Sequence, residues 1–275
     1  ISSHILVIGQ NKNINFLNNV YTGAKSVSER YDAIVELHAP STKAEQSSLT
    51  SLFEYASFVN ADGIIAYIDN DTEEIPVPRK SDGTEIPVVT VGNFDQKITQ
   101  ISFVGNNYSE SGRILARTAV EAWKDGYNLY ILNSEGTNPN YSNLMNTLSV
   151  TLKKARLYPE IIEGSENENQ EVLAKKILHE NSKPSVIICL TENDSIRTSQ
   201  TASDPMYNTE NIIISFGQNE TISSYLKKGI IQTVISVDQV NTGTRAMKEL
   251  FDYKKNNFAN SYVYAGLHIE KGGQK

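Results

Sequence analysis

Residues 101–116, ISFVGNNYSESGRILA, decide the fold of this chain. The first four of them, 101–104, are mostly apolar and β-prone, and the polar turn 105–107 follows. Apolar or small residues then recur at helical spacing from Gly112 to Trp123. The stretch therefore predicts a strand that leaves one lobe of the protein and a helix that opens a second lobe.

The same unit recurs on both sides of this stretch: a short buried strand, a polar turn and an amphipathic helix. Strands are predicted at 5–9, 33–37, 63–68, 88–91, 101–104, 129–132, 158–163, 186–190, 212–216, 231–237 and 262–267. Helices are predicted within 17–27 and 49–59, near 109–124, 141–155, 170–180, 220–228 and 243–253, and briefly after residue 193. Strands that alternate with helices imply parallel sheets covered by helices on both faces. The predicted fold class is α/β, with two doubly wound parallel-sheet lobes.

The composition is that of a folded globular protein and limits the possible partners. The chain has 275 residues, of which 39% are hydrophobic and 21% charged, and its formal net charge is -7. This acidic balance, without any long basic run, argues against nucleic acid as a partner. No apolar run approaches the roughly 18 residues of a membrane span, so direct membrane insertion is not expected. The chain enters a strand almost at once, so we expect either a cytoplasmic protein or one whose leader and tether lie outside this sequence.

Motifs of catalysis and of cofactor binding are absent from the sequence. It contains no G-x-S-x-G, H-E-x-x-H, P-loop or G-x-G-x-x-G pattern. Its four histidines, His4, His38, His179 and His268, are far apart in the chain. Cys189 lies in the apolar run VIICL and is predicted to be a small buried hydrophobic residue. We therefore expect a protein that is not an enzyme and that has no catalytic residues, cofactor or metal site.

The turns after the predicted strands contain Asn, Gln, Asp and aromatic residues but almost no Lys or Arg. In doubly wound sheets the ligand binds outside the carboxyl ends of the strands. A cleft with these side chains suits a neutral polyhydroxylated ligand. From these turns we select as candidate ligand contacts Tyr67, Asp69, Asn93, Asn107 and Tyr141. The alternative for any single turn is that Asn, Asp and Gly only form turns and helix caps.

Several motifs along the chain resemble those of a known family. They are Asn15-Phe16 with Gly23-Ala24, Ile86-Pro87-Val88, Gly105-Asn106-Asn107 before Gly112, Glu192-Asn193-Asp194, Phe216, and the stretch 236–243. Together with the length and the order of units, they resemble the type I periplasmic sugar-binding proteins, the group that includes ribose-, xylose- and galactose-binding proteins. The effector-binding halves of LacI-type repressors share this fold. The resemblance covers essentially the whole chain.

The resemblance implies two lobes joined by a three-segment hinge that close on a small sugar. The lobes would be 1–103 with 237–262, and 104–236 with 263–275.

The resemblance also implies roles for individual residues. Phe16 and Phe216 would stack on the sugar, and Asn15, Asn193 and Asp238 would bind its hydroxyl groups. A core or surface role is the alternative for each of these residues and for Tyr67 and Tyr141.

The sequence also departs from the family pattern. Gly92-Asn93 stand where ribose-binding proteins usually carry Asp-Arg, an expected Arg is missing near Asn143, and Gly217 stands in place of an Asp. Losing charge-assisted hydrogen bonds of about 1.5 to 3 kcal/mol each should weaken sugar binding or change its stereochemical preference. The family has a helix over residues 69–85, but Pro76 and Pro78 exclude a helix from this segment here. The segment is therefore either a substituted surface loop or a contact surface for another protein.

These observations lead to one main functional hypothesis. It is an extracytoplasmic solute-binding protein, at the cell surface or in the periplasm, tethered or secreted in its full-length form. Its ligand would be a small neutral sugar, a pentose such as xylose or ribose before a hexose. Closure of the lobes would be signalled to a membrane partner, either an ABC permease or a sensor histidine kinase. The alternatives are the effector domain of a LacI-type transcription regulator and a partner-binding module that has lost sugar binding.

Overall fold

The computed structural model of the protein describes residues 1–41, 48–68, 74–92, 98–134, 139–164, 168, 172–179, 183–207 and 210–273. The chain divides into two compact units. The first comprises Ile1–Asn106 and Asp238–Gly266, and the second comprises Asn107–Val237 and Leu267–Lys275. The polypeptide therefore passes between the units at three places in the sequence, after residues 106, 237 and 266.

The first unit is built on a six-stranded parallel sheet. Its strands are β1 (Ser3–Ile8), β2 (Ala33–His38), β3 (Gly63–Tyr67), β4 (Val88–Val91), β5 (Ser102–Gly105) and β11 (Tyr262–Tyr264), in the order β11-β5-β4-β3-β1-β2. Its helices are α1 (Ile14–Ser26), α2 (Leu49–Phe58) and α7 (Gln239–Asn256), with 3-10 turns at Asn11–Asn13 and Glu29–Tyr31.

The core of the first unit lies on both faces of this sheet because the central strands are apolar throughout. In β1, Leu6 and Ile8 pack with Leu52 and Phe53 of α2. Ile5 points to the opposite face, where the Cα of Gly63 lies against Ile5 and against Leu250 of α7. Burial on both faces explains why these strands are nearly continuous runs of Ile, Leu and Val rather than alternating patterns.

The second unit is also a six-stranded sheet with helices on both faces. Its strands are β6 (Asn128–Leu132), β7 (Glu160–Ile162), β8 (Ser185–Cys189), β9 (Ile212–Phe216), β10 (Thr233–Val237) and β12 (Leu267–Lys271), in the order β12-β10-β9-β8-β6-β7. Its helices are α3 (Tyr108–Ala122), α4 (Pro139–Lys154), α5 (Glu192–Ala202) and α6 (Glu220–Lys227), with a π-helical turn at Leu173–Ile177. Ile131 packs with Leu115 and Leu148 on one face, whereas Leu132 packs with Ile177 and Ile222 on the other.

The topology confirms the predicted α/β class with two doubly wound lobes, but it corrects the end of the chain. The single strand predicted at 262–267 is two strands in different sheets, β11 in the first unit and β12 in the second. Gly266, at φ +85, separates them. Both sheets are parallel as predicted except at one pair of strands, because β12 runs antiparallel to β10. The predicted lobe boundaries, after residues 103, 236 and 262, stay a prediction beside the unit boundaries given above.

Close helix crossings at glycine are a shared feature of the two units. In the first, a Cβ on Gly23 of α1 would overlap the carbonyl oxygen of Val240, and one on Gly243 of α7 would overlap that of Val20. In the second, a Cβ on Gly112 of α3 would overlap the carbonyl oxygen of Leu144 in α4. The backbones of each helix pair are therefore in contact, which only residues without a side chain permit.

Replacing Gly23 or Gly243 by Ala should destabilise the protein. The new methyl group must push a carbonyl oxygen of the facing helix aside, and overpacking of this kind costs about 1–3 kcal/mol, more than the gain in helix propensity of about 0.5–1 kcal/mol. Urea unfolding would measure the change. Gly273→Ala is the control, because that position is exposed and a methyl group there would meet no atom within 4 Å. Equal stability of all three variants would contradict the crossing geometry.

Candidate functional site

Each unit has one edge at which a ligand site is expected from topology alone. In the first sheet, β2 lies on one side of β1 and β3 on the other, so the connections diverge at the carboxyl ends of β1 and β3. In the second sheet, β7 and β8 flank β6 in the same way. Such switch points open a crevice in doubly wound sheets, and ligands bind there. The candidate site residues are therefore those that follow these strands.

An aromatic pair occupies this edge of the first unit. Phe16, in the first turn of α1, packs against Tyr67 at the end of β3 with ring centroids 4.9 Å apart and planes inclined by 52°. Gly92, which follows β4 at φ +78, lies close to both rings. A Cβ at Gly92 would come within 2.7 Å of Tyr67 Cε2 and 3.2 Å of Phe16 Cζ. The missing side chain therefore makes room for two partly buried aromatic rings at the sheet edge.

Two asparagines precede or open α1 beside this pair. Asn15, predicted as a hydroxyl partner, is exposed in the first turn of the helix. Asn13 was not selected from the sequence, yet its Nδ2 is buried and has no hydrogen-bond partner among the described residues. An Asn directly before a helix resembles an ordinary cap, but the side chain of Asn13 makes no cap hydrogen bond. No local pattern in the sequence distinguishes Asn13 from such a cap, so it could not be selected from the sequence.

A buried carboxylate organises the corresponding edge of the second unit. Asp194 is 2% exposed, and its Oδ2 accepts hydrogen bonds from the Ser134 backbone N–H at 2.9 Å and from Thr191 Oγ1 at 3.0 Å. The Asp194 N–H donates in turn to Thr191 Oγ1 at 3.0 Å, so Thr191 caps α5. These bonds tie Ser134, in the turn that follows β6, to the start of α5. They also hold Asn193, which lies between them in the chain, at the carboxyl edge of β8.

The remaining predicted residues of the second unit lie in different surroundings. Asn193 is exposed in the first turn of α5. Tyr141 of α4 is partly buried and packs against Tyr108, with ring centroids 6.2 Å apart. Phe216 ends β9 but is only 7% exposed and belongs to the hydrophobic core of this unit. Phe216 therefore packs in the core, which is the alternative that the sequence left open for it. Its role in stacking on a sugar stays a prediction.

Two further candidates are helix caps. Asn107 caps α3, since its Oδ1 accepts from the Glu110 N–H at 3.0 Å. Asp238 caps α7 by accepting from the Asn241 N–H at 2.9 Å. Each cap uses one side-chain oxygen, so the Asn107 amide nitrogen and the second Asp238 oxygen are not part of the cap. Asp69 and Asn93 lie outside the described residues.

Reactive groups are scarce in the part of the chain that the structure describes. No three His, Cys, Asp or Glu side chains there could hold a metal ion together. The prediction that Cys189 is buried is confirmed, and burial raises the pKa of its thiol to about 12. Within the same residues, no helix combines the length and apolar character needed to cross a bilayer.

Comparison with known proteins identifies the family. The model of the periplasmic binding protein domain matches residues 5–257. The chain belongs to this family. No curated protein matches this binding protein in sequence.

Solved structures resemble this binding protein over nearly its whole length. AraP, an arabinose binding protein from Geobacillus stearothermophilus, is 15% identical with a TM-score of 0.82, covering 98% of this chain and 97% of that chain. The sugar-binding protein of a sugar ABC transporter from Bacillus halodurans is 16% identical with a TM-score of 0.80, at 98% and 97% coverage. A mutant XylFII-LytSN complex provides a chain that is 19% identical with a TM-score of 0.74, at 98% coverage of both. These likenesses confirm the predicted resemblance to type I periplasmic sugar-binding proteins at the level of fold.

Replacing Asp194 by Ala should lower the free energy of unfolding by about 1–3 kcal/mol, because the buried donors that it satisfies would lose their acceptor. Urea unfolding measures the change. The control is Glu121→Ala on the exposed surface of α3, where a small effect is expected. Equal effects of the two substitutions would show that Asp194 does not organise this edge.

Proposed function

We propose that this chain is an extracytoplasmic solute-binding protein for a small neutral sugar, with a pentose such as xylose or ribose favoured, and that it is not an enzyme. The observation that carries the proposal is the Phe16–Tyr67 pair over Gly92, at the ligand edge of a member of the periplasmic binding protein domain family. Full-length protein would be tethered or secreted at the cell surface or in the periplasm.

The chemistry of the two edges supports a sugar ligand. Aromatic rings offer flat apolar faces to the C–H groups of a pyranose or furanose ring, while amides and hydroxyls exchange hydrogen bonds with its OH groups. Residues that we propose as ligand contacts from the first unit are Asn15, Phe16, Tyr67, Asp69, Asn93 and Asp238. Those proposed from the second unit are Asn107, Tyr141, Asn193 and Phe216.

We also propose a membrane protein partner, either an ABC permease or a sensor histidine kinase. Among proteins of similar fold, one is described as the sugar-binding protein of a sugar ABC transporter and another as part of a XylFII-LytSN complex, which supports keeping both kinds of partner in the proposal. The segment 69–85, of which the structure describes residues 74–85, is the proposed contact surface. It is fastened to the first unit by hydrogen bonds from the Ser81 N–H to Asn60 Oδ1 at 2.8 Å and from the Arg79 N–H to Ser57 Oγ at 3.3 Å.

A thermal-shift screen against D-xylose, D-ribose, L-arabinose, D-glucose and D-galactose, followed by calorimetry, tests the ligand. A sugar at 100 times its dissociation constant should stabilise the protein by about 2.7 kcal/mol, a shift of a few degrees. Phe16→Ala and Asn193→Ala should each weaken binding by about tenfold or more, a loss of about 1.4 kcal/mol or more of binding free energy. Phe58→Ala is the matched control, because Phe58 is 83% exposed at the end of α2, away from the ligand edge.

The outcomes separate the candidate functions. A selective shift that is lost in Phe16→Ala and kept in Phe58→Ala supports the sugar-binding protein. No shift with any sugar from folded protein would overturn it and favour the partner-binding module or a LacI-type effector domain with another ligand. Wild-type affinity in both Phe16→Ala and Asn193→Ala would refute the proposed contact residues but not the proposal that the ligand is a sugar.

A further inference from the structure

A carboxylate at the ligand edge of the second unit has no role in the site described so far. Glu192 is the first residue of α5, directly after the cap Thr191 at the end of β8. Its side chain reaches across to Gly217, which follows β9 at φ +107. A Cβ on Gly217 would lie 2.9 Å from Glu192 Cγ and 3.6 Å from Glu192 Oε1. The bare backbone of Gly217 therefore makes room for the Glu192 side chain, and the pair places a carboxylate between the ends of β8 and β9.

The Glu192 carboxylate is positioned by a residue that is itself fixed. Asn219 caps α6, since its Oδ1 accepts from the Ile222 N–H at 2.9 Å, and its Nδ2 donates to Glu192 Oε2 at 3.3 Å. Glu192 Oε1 receives no hydrogen bond from the described residues, and no Lys, Arg or His among them forms an ion pair with this carboxylate. One oxygen is thus held in place while the other remains an acceptor at the sheet edge.

The surroundings of Glu192 disfavour its charge. Although the residue reaches solvent, desolvation by partial burial raises the pKa of its carboxyl group, and the hydrogen bond from Asn219 opposes this only in part. A carboxylate whose role is to stabilise the fold normally gains from ionisation in the folded state. The ionised carboxylate of Glu192 instead has too few hydrogen-bond partners within the protein. It lies at the edge where a ligand with hydroxyl donors is expected.

We propose that Glu192 is a specificity-determining residue, whose carboxylate accepts hydrogen bonds from hydroxyl groups of the bound sugar. This inference rests on the proposed function and adds a contact that the sequence did not select. Hydroxyl groups of the ligand would donate to the carboxylate in place of the water that burial removes. Such charge-assisted hydrogen bonds are about twice as strong as neutral ones. Sugars that present a hydroxyl donor to Glu192 Oε1 are favoured over their deoxy or epimeric forms.

Glu192→Gln tests this role because the amide keeps the shape and the acceptor for Asn219 but loses the charge. Calorimetry with whichever of D-xylose, D-ribose, L-arabinose, D-glucose and D-galactose binds the wild type should give a dissociation constant at least about tenfold higher. Glu220→Gln is the matched control, since Glu220 is likewise the exposed first residue of the next helix, α6. It should bind the sugar like the wild type.

Thermal unfolding without sugar separates this role from a structural one. A raised folded-state pKa means that ionisation costs stability as the pH rises through that pKa, so the cost is present at neutral pH and absent in acid. Glu192→Gln should therefore melt at or above the wild-type temperature at pH 7, and the difference should vanish at low pH. Sugar affinity of the wild type should fall as acid protonates Glu192, whereas that of Glu192→Gln should not show this step.

Each outcome decides the inference. Unchanged affinity in Glu192→Gln, with a wild type that binds sugar and a Phe16→Ala variant that does not, would overturn the role of Glu192 and leave the proposed function standing. A lower melting temperature without sugar would assign Glu192 a structural role and also overturn it. A wild type that binds none of the five sugars would overturn both proposals.

Discussion

Contact between the backbones of paired helices is the constraint on which both units depend. Gly23 and Gly243 let α1 and α7 cross without side chains between them, and Gly112 does the same for α3 and α4. Each of these helix pairs covers one face of a sheet, with glycine at the crossing and apolar side chains such as Leu17, Leu115 and Leu148 buried beside it. The helices begin at the carboxyl ends of the strands, so the crossings also determine where the turns of the candidate site lie.

Several residues of those turns are both helix caps and part of the candidate site. Asn107, Thr191, Asn219 and Asp238 each cap a helix through one side-chain oxygen. A cap leaves the other polar atom of an Asn or Asp for further bonding, and Asn219 shows this directly, because its Oδ1 caps α6 while its Nδ2 holds Glu192. Caps and ligand contacts are therefore not exclusive alternatives for a turn residue. This explains why turn chemistry alone could not separate them in the sequence.

The carboxyl edges of the two sheets differ in the polarity of their side chains. The first unit presents an aromatic pair over a glycine, which suits the apolar face of a small ring. The second unit buries a carboxylate, Asp194, within its own hydrogen bonds and leaves another, Glu192, incompletely solvated. The carboxylate of Asp194 therefore stabilises the fold, whereas that of Glu192 can still accept hydrogen bonds. Gly92 and Gly217 have the same structural effect in the two units, since each glycine admits a neighbouring side chain.

The sequence by itself determined the α/β class, the alternation of strands and helices, the burial of Cys189 and the positions of the turns, because hydrophobic period, turn residues and caps are local properties. Only the tertiary structure decided that the segment predicted as one strand at 262–267 is divided between two sheets by Gly266, that β12 runs antiparallel, and that Phe216 packs in a core. It alone brought Glu192 against Gly217 and Asp194 against Ser134. These features join residues distant in the chain, and no local pattern encodes which strand ends become neighbours.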